Sequence, residues 1–230
     1  MFEYLGRVAP SRQLAWDCGT GNGQAAIGMA DVFDRVIATD ASEKQIANAQ
    51  ANERVVYRVA TAEESGLESA TIDVVTVAQA VHWFDLDRFY PEAVRVLKPN
   101  GIIALSAYLL AQIKPEIDQV VSRYYHDVVG PFWAPERKMV ENFSDIPFPF
   151  QKIDPPKFEM KAQWNLDHLI GYLGTWSASK LFIKARGIDP IDEQIIQELR
   201  TAWGDPSQIR RVIWPLTLHV GVNRRAKTLE

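Results

Sequence analysis

The chain has 230 residues, of which 47% are hydrophobic and 23% are charged, values typical of a globular protein rather than a disordered or fibrous one. Its formal net charge of −4 gives no basic excess of the kind that marks a general nucleic-acid-binding protein, and a single cysteine, Cys18, excludes a disulfide framework. The longest apolar stretch, 101–111, is too short to cross a bilayer, and no charged-then-apolar leader opens the chain. We therefore expect a soluble, cytoplasmic protein without a membrane partner.

Strands and helices alternate in the first half of the chain. Five short apolar runs predict strands at 14–16, 36–39, 55–59, 72–77 and 102–105. Helical patterns lie between them at 23–33, 42–52 and 85–97, the second with Ser42 as its N-cap and the third ending before the Lys-Pro-Asn-Gly sequence at 98–101. Near-continuous apolar strands separated by helices predict a parallel α/β sheet covered on both faces.

The pattern changes after residue 108. A helix is expected at 113–129, followed by a proline-rich stretch, an alternating strand at 157–164 and helical sequence at 166–203 that Gly187 and Pro190 interrupt. A last strand is expected at 213–222, where Pro215 indicates an edge position or a bulge. We predict one domain over 1–230, with two late strands joining the sheet and a helical cap at 128–205 over its ligand edge. Leu229 and Glu230 are interpreted as residues that the expression vector added, and no prediction is based on them.

A glycine-rich turn, 17–24 (DCGTGNGQ), joins the first strand to the first long helix. Glycines allow positive φ and let a ligand approach the bare backbone, next to the unpaired N–H groups of a helix N-terminus. The dinucleotide fingerprint G-x-G-x-x-G is not met, because the spacing is G-x-G-x-G and Gln24 stands where the third glycine is needed. By itself the turn is weak evidence, since a tight strand-to-helix turn without a ligand explains it too.

Three further segments strengthen the case for a ligand site. Asp40 ends the second strand, where a carboxylate can accept hydrogen bonds from ribose hydroxyls, although it could also cap a helix beside Ser42. The third strand is followed by 60–63 (ATAE) and the fourth by 79–84 (QAVHWF). All of these lie at the carboxyl ends of strands, which is where open α/β sheets bind ligands.

The combination of these motifs resembles that of the class I S-adenosylmethionine-dependent methyltransferases. The motifs are D-x-G-x-G-x-G, the acidic strand end, A-E, Q-A-x-H-W-F and L-K-P-N-G. More narrowly, the chain is similar to the small-molecule branch that includes trans-aconitate methyltransferase and the ubiquinone/menaquinone C-methyltransferases. The specific motifs cover about 13–107 and the likeness extends loosely to the end. It implies a Rossmann-like, doubly wound, seven-stranded and mostly parallel sheet, with an antiparallel last strand and a helical C-terminal cap.

The resemblance implies S-adenosyl-L-methionine as the cofactor. The implied binding residues are Asp17, Cys18, Gly19, Thr20, Gly21, Asp40, Ala41, Ala62, Glu63, Gln79 and Ala80. Asp17 would organise the turn, the Gly19 backbone would meet the methionine end, and Asp40 would bind both ribose hydroxyls while Ala41 packs on the adenine.

The remaining implied contacts belong to the third and fourth strands. The backbone N–H of the Ala62–Glu63 segment would serve an adenine ring nitrogen and the Glu63 carboxylate its amino group. Gln79 and Ala80 would line the sulfonium side. Cys18 is interpreted as a small packing residue rather than a nucleophile, because no neighbouring histidine is evident.

The acceptor is expected to be a small molecule, bound with the help of aromatic side chains. The candidate substrate residues are Trp83, Trp133, Tyr172 and Trp176. His82 is the nearest candidate for a general base, but a structural hydrogen-bonding role is the favoured interpretation. The sequence does not identify the acceptor or say whether O, N or C is methylated, and an acidic acceptor would need a positioned Arg or Lys.

Two other functions remain open at this stage. Related enzymes usually carry a helical segment ahead of the first strand, and only residues 1–11 stand there, so we expect either that the N-terminal segment is truncated or that the cofactor site is more open than usual. That makes a non-catalytic S-adenosylmethionine-binding protein the alternative. Gln24 disfavours a nicotinamide-dependent oxidoreductase. The histidines lack the paired spacing of a metal site, and the excess of acidic residues disfavours a nucleic-acid partner. The sequence does not indicate the oligomeric state.

Overall fold

A computed structural model describes residues 1–224; Leu229 and Glu230, set aside above, lie outside the described residues. The strands are β1 (Leu14–Cys18), β2 (Arg35–Asp40), β3 (Val55–Val59), β4 (Ile72–Ala78), β5 (Leu97–Ala107), β6 (Gln151–Ile153), β7 (Phe158–Trp164) and β8 (Arg210–Val222). The helices are α1 (Phe2–Val8), α2 (Gln24–Ala30), α3 (Glu43–Ala47), α4 (Leu86–Val96), α5 (Pro115–Arg123), α6 (Arg137–Glu141), α7 (Leu166–Thr175), α8 (Ser177–Arg186) and α9 (Glu193–Trp203).

The contacts divide the chain into two compact units. Among the described residues, the first unit comprises Met1–Ala107, Asn142–Pro156 and 217–224, and the second comprises Tyr108–Glu141 and Lys157–Leu216. The cap predicted at 128–205 therefore falls in the second unit, except for its 142–156 portion. A single domain with a cap remains a prediction.

The sheet confirms the α/β prediction. Its strands lie in the order β3-β2-β1-β4-β5-β8-β6, and the pairs from β3 to β5 are all parallel. The last strand, β8, pairs with β5 in the antiparallel direction, Thr217 opposite Ala107 and Val222 opposite Ile102. A seven-stranded, mostly parallel, doubly wound path with an antiparallel last strand is thus present.

The strands after β5 differ from the expectation in two ways. The strand expected at 157–164 forms as β7, but it is an eighth strand outside that path, paired in the second unit with residues 210–216 of β8. The seventh strand of the path is instead β6, which pairs with β8 from Gln151 to Ile153. Three residues after a proline-rich stretch are too few to show an alternating pattern, so β6 could not be predicted from the sequence.

Helix boundaries follow the capping residues. Ser42 caps α3, its Oγ accepting the Gln45 N–H at 3.3 Å, and Gly187, with φ +72°, ends α8. The helix expected at 42–52 is shorter than predicted, ending at Ala47. The helix expected at 113–129 ends as α-helix at Arg123 and continues as one π-helical turn, Tyr124–Val128.

The core of the first unit lies against the central strands. Trp16 of β1 is fully buried and donates its indole N–H to Thr39 Oγ1 at 2.9 Å. At the opposite end of the sheet, the buried carboxylate of Asp73 accepts hydrogen bonds from the backbone N–H of Leu14 at 2.9 Å and from Lys98 Nζ at 2.8 Å. These contacts fix β1 between β2 and β4, so the loops that follow β1, β2 and β4 emerge at one edge.

Candidate functional site

A cavity of about 460 Å³ lies in the first unit, at the carboxyl ends of the parallel strands. Its lining residues come from the four segments singled out by the sequence: Gly19, Asp40, Ala41, Ser42, Ala60, Thr61, Ala62, Glu63, Ala80, Trp83 and Phe84. The volume falls within the range of small-molecule and cofactor sites, about 300–1,000 Å³.

The glycine turn brings bare backbone to this cavity. Gly19, Gly21 and Gly23 have φ of +69°, +57° and +90°, a region that side-chain-bearing residues rarely adopt. At Gly19 a Cβ would lie 2.5 Å from the Cβ of Ala80 and 3.0 Å from Phe84 Cζ. Glycine is therefore needed there both for its conformation and for space.

Asp17 holds the turn from beneath. Its buried carboxylate accepts hydrogen bonds from Thr20 Oγ1 at 2.5 Å and from Thr76 Oγ1 of β4 at 2.9 Å. Burial raises the pKa of Asp17 to about 6, although these hydroxyl donors act in the opposite direction. The turn is thus anchored to two neighbouring strands by one carboxylate.

Asp40 is oriented at the end of β2 by two backbone N–H groups. Gly21 N–H donates to Oδ2 at 2.8 Å and Ser42 N–H donates to Oδ1 at 2.9 Å. An ionised carboxylate has about four lone-pair sites, so both oxygens keep acceptor capacity toward the cavity that Asp40 lines. Asp40 therefore contacts Ser42, the residue that caps α3, and lines the cavity at the same time.

Glu63 links the third segment to the end of the fourth. Glu63 Oε1 accepts the backbone N–H of Asp85 at 2.9 Å, and Asp85 in turn caps α4. Phe84 and Trp83 add aromatic walls, and Trp83 is 61% exposed. The cavity therefore combines two oriented carboxylates with apolar and aromatic surface.

The structure brings six of the predicted cofactor residues into the cavity wall. They are Gly19, Asp40, Ala41, Ala62, Glu63 and Ala80. The others support the wall from the turn and strand ends or lie in the core: Asp17, Cys18, Thr20, Gly21 and Gln79. Cys18 is buried and burial raises the pKa of its thiol, which leaves a packing residue rather than a thiolate nucleophile.

The predicted acceptor residues occupy different units. Trp133, Tyr172 and Trp176 form one aromatic cluster in the second unit, with ring centroids of Trp133 and Tyr172 each 5.7 Å from that of Trp176. Trp83 instead lines the first-unit cavity beside Phe84. His82 lies in a short 3₁₀ turn, buried, with its ring 4.8 Å from the Trp83 ring.

Four wall residues were not predicted individually: Ser42, Ala60, Thr61 and Phe84. All belong to the segments that the sequence placed at strand ends, so their position in the chain was a signal. Ser42 was interpreted only as a helix cap, and Ala60, Thr61 and Phe84 carry no chemistry that marks them as ligand contacts.

The wall fits a nucleoside-bearing cofactor such as S-adenosyl-L-methionine. Oriented carboxylates suit hydroxyl and amino donors, the alanine and aromatic surface suits a flat base, and Gly19 leaves space that a Cβ would fill. Within residues 1–224, three or more His, Cys, Asp or Glu side chains are nowhere grouped so that they could hold a metal ion. In the same residues no helix has the length and apolar character needed to span a membrane.

Comparison with known proteins agrees with this geometry. A family model described as a methyltransferase domain matches residues 16–105. A Dictyostelium discoideum protein named as a methyltransferase, without a stated substrate, is 37% identical over 205 residues, covering 86% of this chain and 78% of that protein. A Mycobacterium tuberculosis methyltransferase of uncharacterized activity is 36% identical over 104 residues, 45% of this chain and 42% of that protein.

A solved structure extends the likeness to the whole chain. A protein from Anaeromyxobacter dehalogenans, described as a type II methyltransferase, superposes with a TM-score of 0.91 at 44% sequence identity. The superposition covers 98% of this chain and 96% of that one. The likeness therefore includes the second unit as well as the sheet.

Proposed function

We propose that this chain, which belongs to the class I S-adenosylmethionine-dependent methyltransferases, methylates a small-molecule acceptor by direct in-line displacement. Positioning and the exclusion of water supply most of the rate enhancement in this proposal. The observation that carries it is the Asp40 carboxylate, oriented by Gly21 N–H and Ser42 N–H at a cavity where Gly19 leaves the backbone bare.

Each wall residue has a distinct task in binding the cofactor. Asp40 accepts hydrogen bonds from the ribose hydroxyls with the lone pairs that its backbone donors leave. The Ala62–Glu63 segment meets the adenine edge, where Glu63 is steadied by its hydrogen bond from Asp85 N–H. Ala41 and Phe84 supply apolar surface for the base.

When bound, S-adenosyl-L-methionine supplies a methyl group on a positively charged sulfur, and that charge is lost as the methyl moves to the acceptor. The protein therefore has to align the acceptor and keep water out, and a base is needed only where the acceptor must lose a proton. His82 is assigned a structural role, because it is buried in a tight turn against Trp83. We expect His82→Ala to lower stability more than the rate of transfer per folded enzyme.

Two observations support a small acceptor rather than a nucleic acid. The net charge of −4 opposes the phosphate backbone. The second unit presents Trp133, Tyr172 and Trp176 as one cluster, and aromatic side chains of this kind bind flat or apolar molecules.

The test is transfer of label from methyl-labelled S-adenosyl-L-methionine into a cell extract that has been separated by ultrafiltration into small molecules and macromolecules. We expect label in the small-molecule fraction with the native chain. Asp40→Ala should lower that transfer at least tenfold at subsaturating cofactor. Asp34→Ala, which removes an exposed carboxylate outside the cavity wall, should leave it unchanged.

Label found only in protein or nucleic acid would contradict the small-molecule acceptor. Absence of transfer to either fraction, with the cofactor bound, would favour a non-catalytic binding protein. Equal transfer by the native chain and Asp40→Ala would contradict the ribose assignment.

A further inference from the structure

A second cavity, of about 560 Å³, lies entirely within the second unit. Its wall is built from the segment after β5, from α5 and the π-helical turn, and from the end of α6. The lining residues are Leu109, Leu110, Ala111, Gln112, Asp118, Ser122, Tyr125, His126 and Glu141. The volume again lies in the range of small-molecule sites.

The charges on this wall have one sign. Asp118 and Glu141 contribute carboxylates, and no Lys or Arg occurs among the lining residues in the described chain. Two of the cations nearby in the sequence have acidic partners: Lys114 Nζ lies 3.9 Å from Glu116, and Arg123 pairs with Glu198. A third, Arg137, donates to the hydroxyl of Tyr125. The cavity is therefore electrostatically suited to a positive ligand.

Both carboxylates are held in place by protein donors. Asp118 Oδ1 accepts the backbone N–H of Ile113 at 2.8 Å, and Glu141 Oε1 accepts the Tyr125 hydroxyl at 2.7 Å. Burial raises the pKa of Asp118, which shows that its charge is partly desolvated. An oriented, partly desolvated carboxylate gains most from a cationic partner.

The remainder of the wall combines apolar side chains with the polar Gln112, Ser122, Tyr125 and His126. Leu109, Leu110 and Ala111 form one side. His126 Nδ1 lies 2.8 Å from the Ser122 carbonyl oxygen, so this nitrogen carries a proton and donates to that carbonyl. Apolar surface next to two fixed acceptors matches a ligand with a hydrocarbon or aromatic body and a positively charged end.

We propose that this cavity binds an organic cation, a protonated or quaternary amine attached to a small apolar group. The inference uses the second unit alone, so it is independent of the proposed methyl transfer. It holds whether or not the ligand is the methyl acceptor.

The two carboxylates should contribute unequally. A smaller cavity shares Tyr125, His126 and Glu141 with this one and is also lined by Arg137 and Lys138. The Arg137 guanidinium lies 4.8 Å from the Trp133 ring centroid, and its Nε donates to the Tyr125 hydroxyl at 3.2 Å. This positive charge offsets part of the Glu141 field, so Asp118 should be the stronger determinant of cation binding.

The test compares three probes of matched size, phenethylamine, 2-phenylethanol and 3-phenylpropanoate, titrated into the full chain and followed by protein NMR or calorimetry. We expect the amine to bind at least tenfold more tightly than the alcohol or the carboxylate. Asp118→Asn should weaken amine binding about tenfold and Glu141→Gln less, since each isosteric amide keeps an oxygen for its present donor.

Glu193→Gln is the matched control, because it removes an exposed acidic charge from the same unit outside the cavity wall. It should leave amine affinity unchanged. Equal affinity for all three probes, binding of none of them, or an Asp118→Asn variant that folds and binds the amine as tightly as the native chain would each overturn the proposal. Binding that persists while methyl transfer fails would leave this site standing and contradict only the proposed function.

Discussion

Gly19 is needed both because its φ is positive and because no space remains for a side chain. Comparing an alanine substitution here with one at Gly21 separates these two requirements. Gly19 and Gly21 both have positive φ, but only at Gly19 would a Cβ meet another atom, 2.5 Å from Ala80 Cβ; at Gly21 nothing lies within 4 Å. We expect Gly19→Ala to lower the free energy of unfolding by about 1–3 kcal/mol more than Gly21→Ala, because it adds overpacking to a similar backbone cost. Denaturant unfolding of the two variants measures this difference, and equal losses would contradict it.

The raised pKa of Asp17 predicts how the free energy of unfolding depends on pH. Its pKa is raised from 3.8 to about 6 in the folded chain, so between these values the folded state holds a proton that the unfolded state has lost. Stability from this group is therefore highest below about pH 4 and falls as pH rises through 6. Two pKa units correspond to about 3 kcal/mol.

The check is the difference in unfolding free energy between the native chain and Asp17→Asn, measured from pH 4 to pH 7. An asparagine does not titrate, so the variant should gain about 3 kcal/mol relative to the native chain over this interval, whatever its absolute stability. A difference that stays constant with pH would show that Asp17 titrates normally.

The sequence identified both charged residues of the first cavity, Asp40 and Glu63, whereas the wall residues that it missed, Ser42, Ala60, Thr61 and Phe84, are all uncharged. Asp40 and Glu63 stand out because a carboxylate at the carboxyl end of a parallel strand can accept hydrogen bonds from a bound ligand. Phe84 and Ala60 do not, because an aromatic or small residue after a strand is usually part of the core. Their role depends on which atoms face the cavity, a property of the tertiary structure alone.

Among the elements, β1 and β5 are both joined to β4 by the buried carboxylate of Asp73, through a backbone hydrogen bond from β1 and an ion pair with Lys98 of β5. Asp73 accepts hydrogen bonds from Ser11 Oγ at 2.6 Å, Leu14 N–H at 2.9 Å and Lys98 Nζ at 2.8 Å. Although burial opposes it, these donors lower the pKa of Asp73. The backbone N–H of Gln13 also donates to Asp73, at 3.1 Å. We expect Asp73→Ala to cost about 3 kcal/mol of unfolding free energy, since four donors lose their acceptor.

Glu64→Ala serves as the control for that measurement. Glu64 pairs with Arg88 at the surface, where both side chains are more than half exposed, so its loss should cost less than about 1 kcal/mol. If thermal or denaturant unfolding shows the two variants to be equally stable, Asp73 does not fasten β1 to β4.

Elements that a local sequence pattern specifies could be predicted. Elements that form only through pairing or packing with another part of the chain could not. β4 is a largely apolar run rich in β-branched residues, and Gly187 ends α8 through its positive φ, so both followed from the sequence. β6 exists only because Gln151–Ile153 can pair with β8. The π-helical turn at Tyr124–Val128 likewise has no sequence pattern that distinguishes it from a continuing α-helix.

For the whole molecule, a ligand that binds only the folded chain must stabilise it. At a hundred times its dissociation constant, S-adenosyl-L-methionine should add about 2.7 kcal/mol, which for a chain of this size raises Tm by about 5–10 °C. NAD at the same concentration should not, because the turn has Gln24 where a dinucleotide site needs glycine. Differential scanning calorimetry compares them, and a larger shift with NAD would reverse the assignment.

Equilibrium dialysis with labelled S-adenosyl-L-methionine tests the central claim most directly, because it counts bound cofactor without requiring an acceptor. We predict one molecule bound per chain, with affinity reduced at least tenfold in Asp40→Ala and unchanged in Asp34→Ala. No retained label at millimolar cofactor, or equal retention by the native chain and Asp40→Ala, would contradict a cofactor site in the cavity beside Asp40.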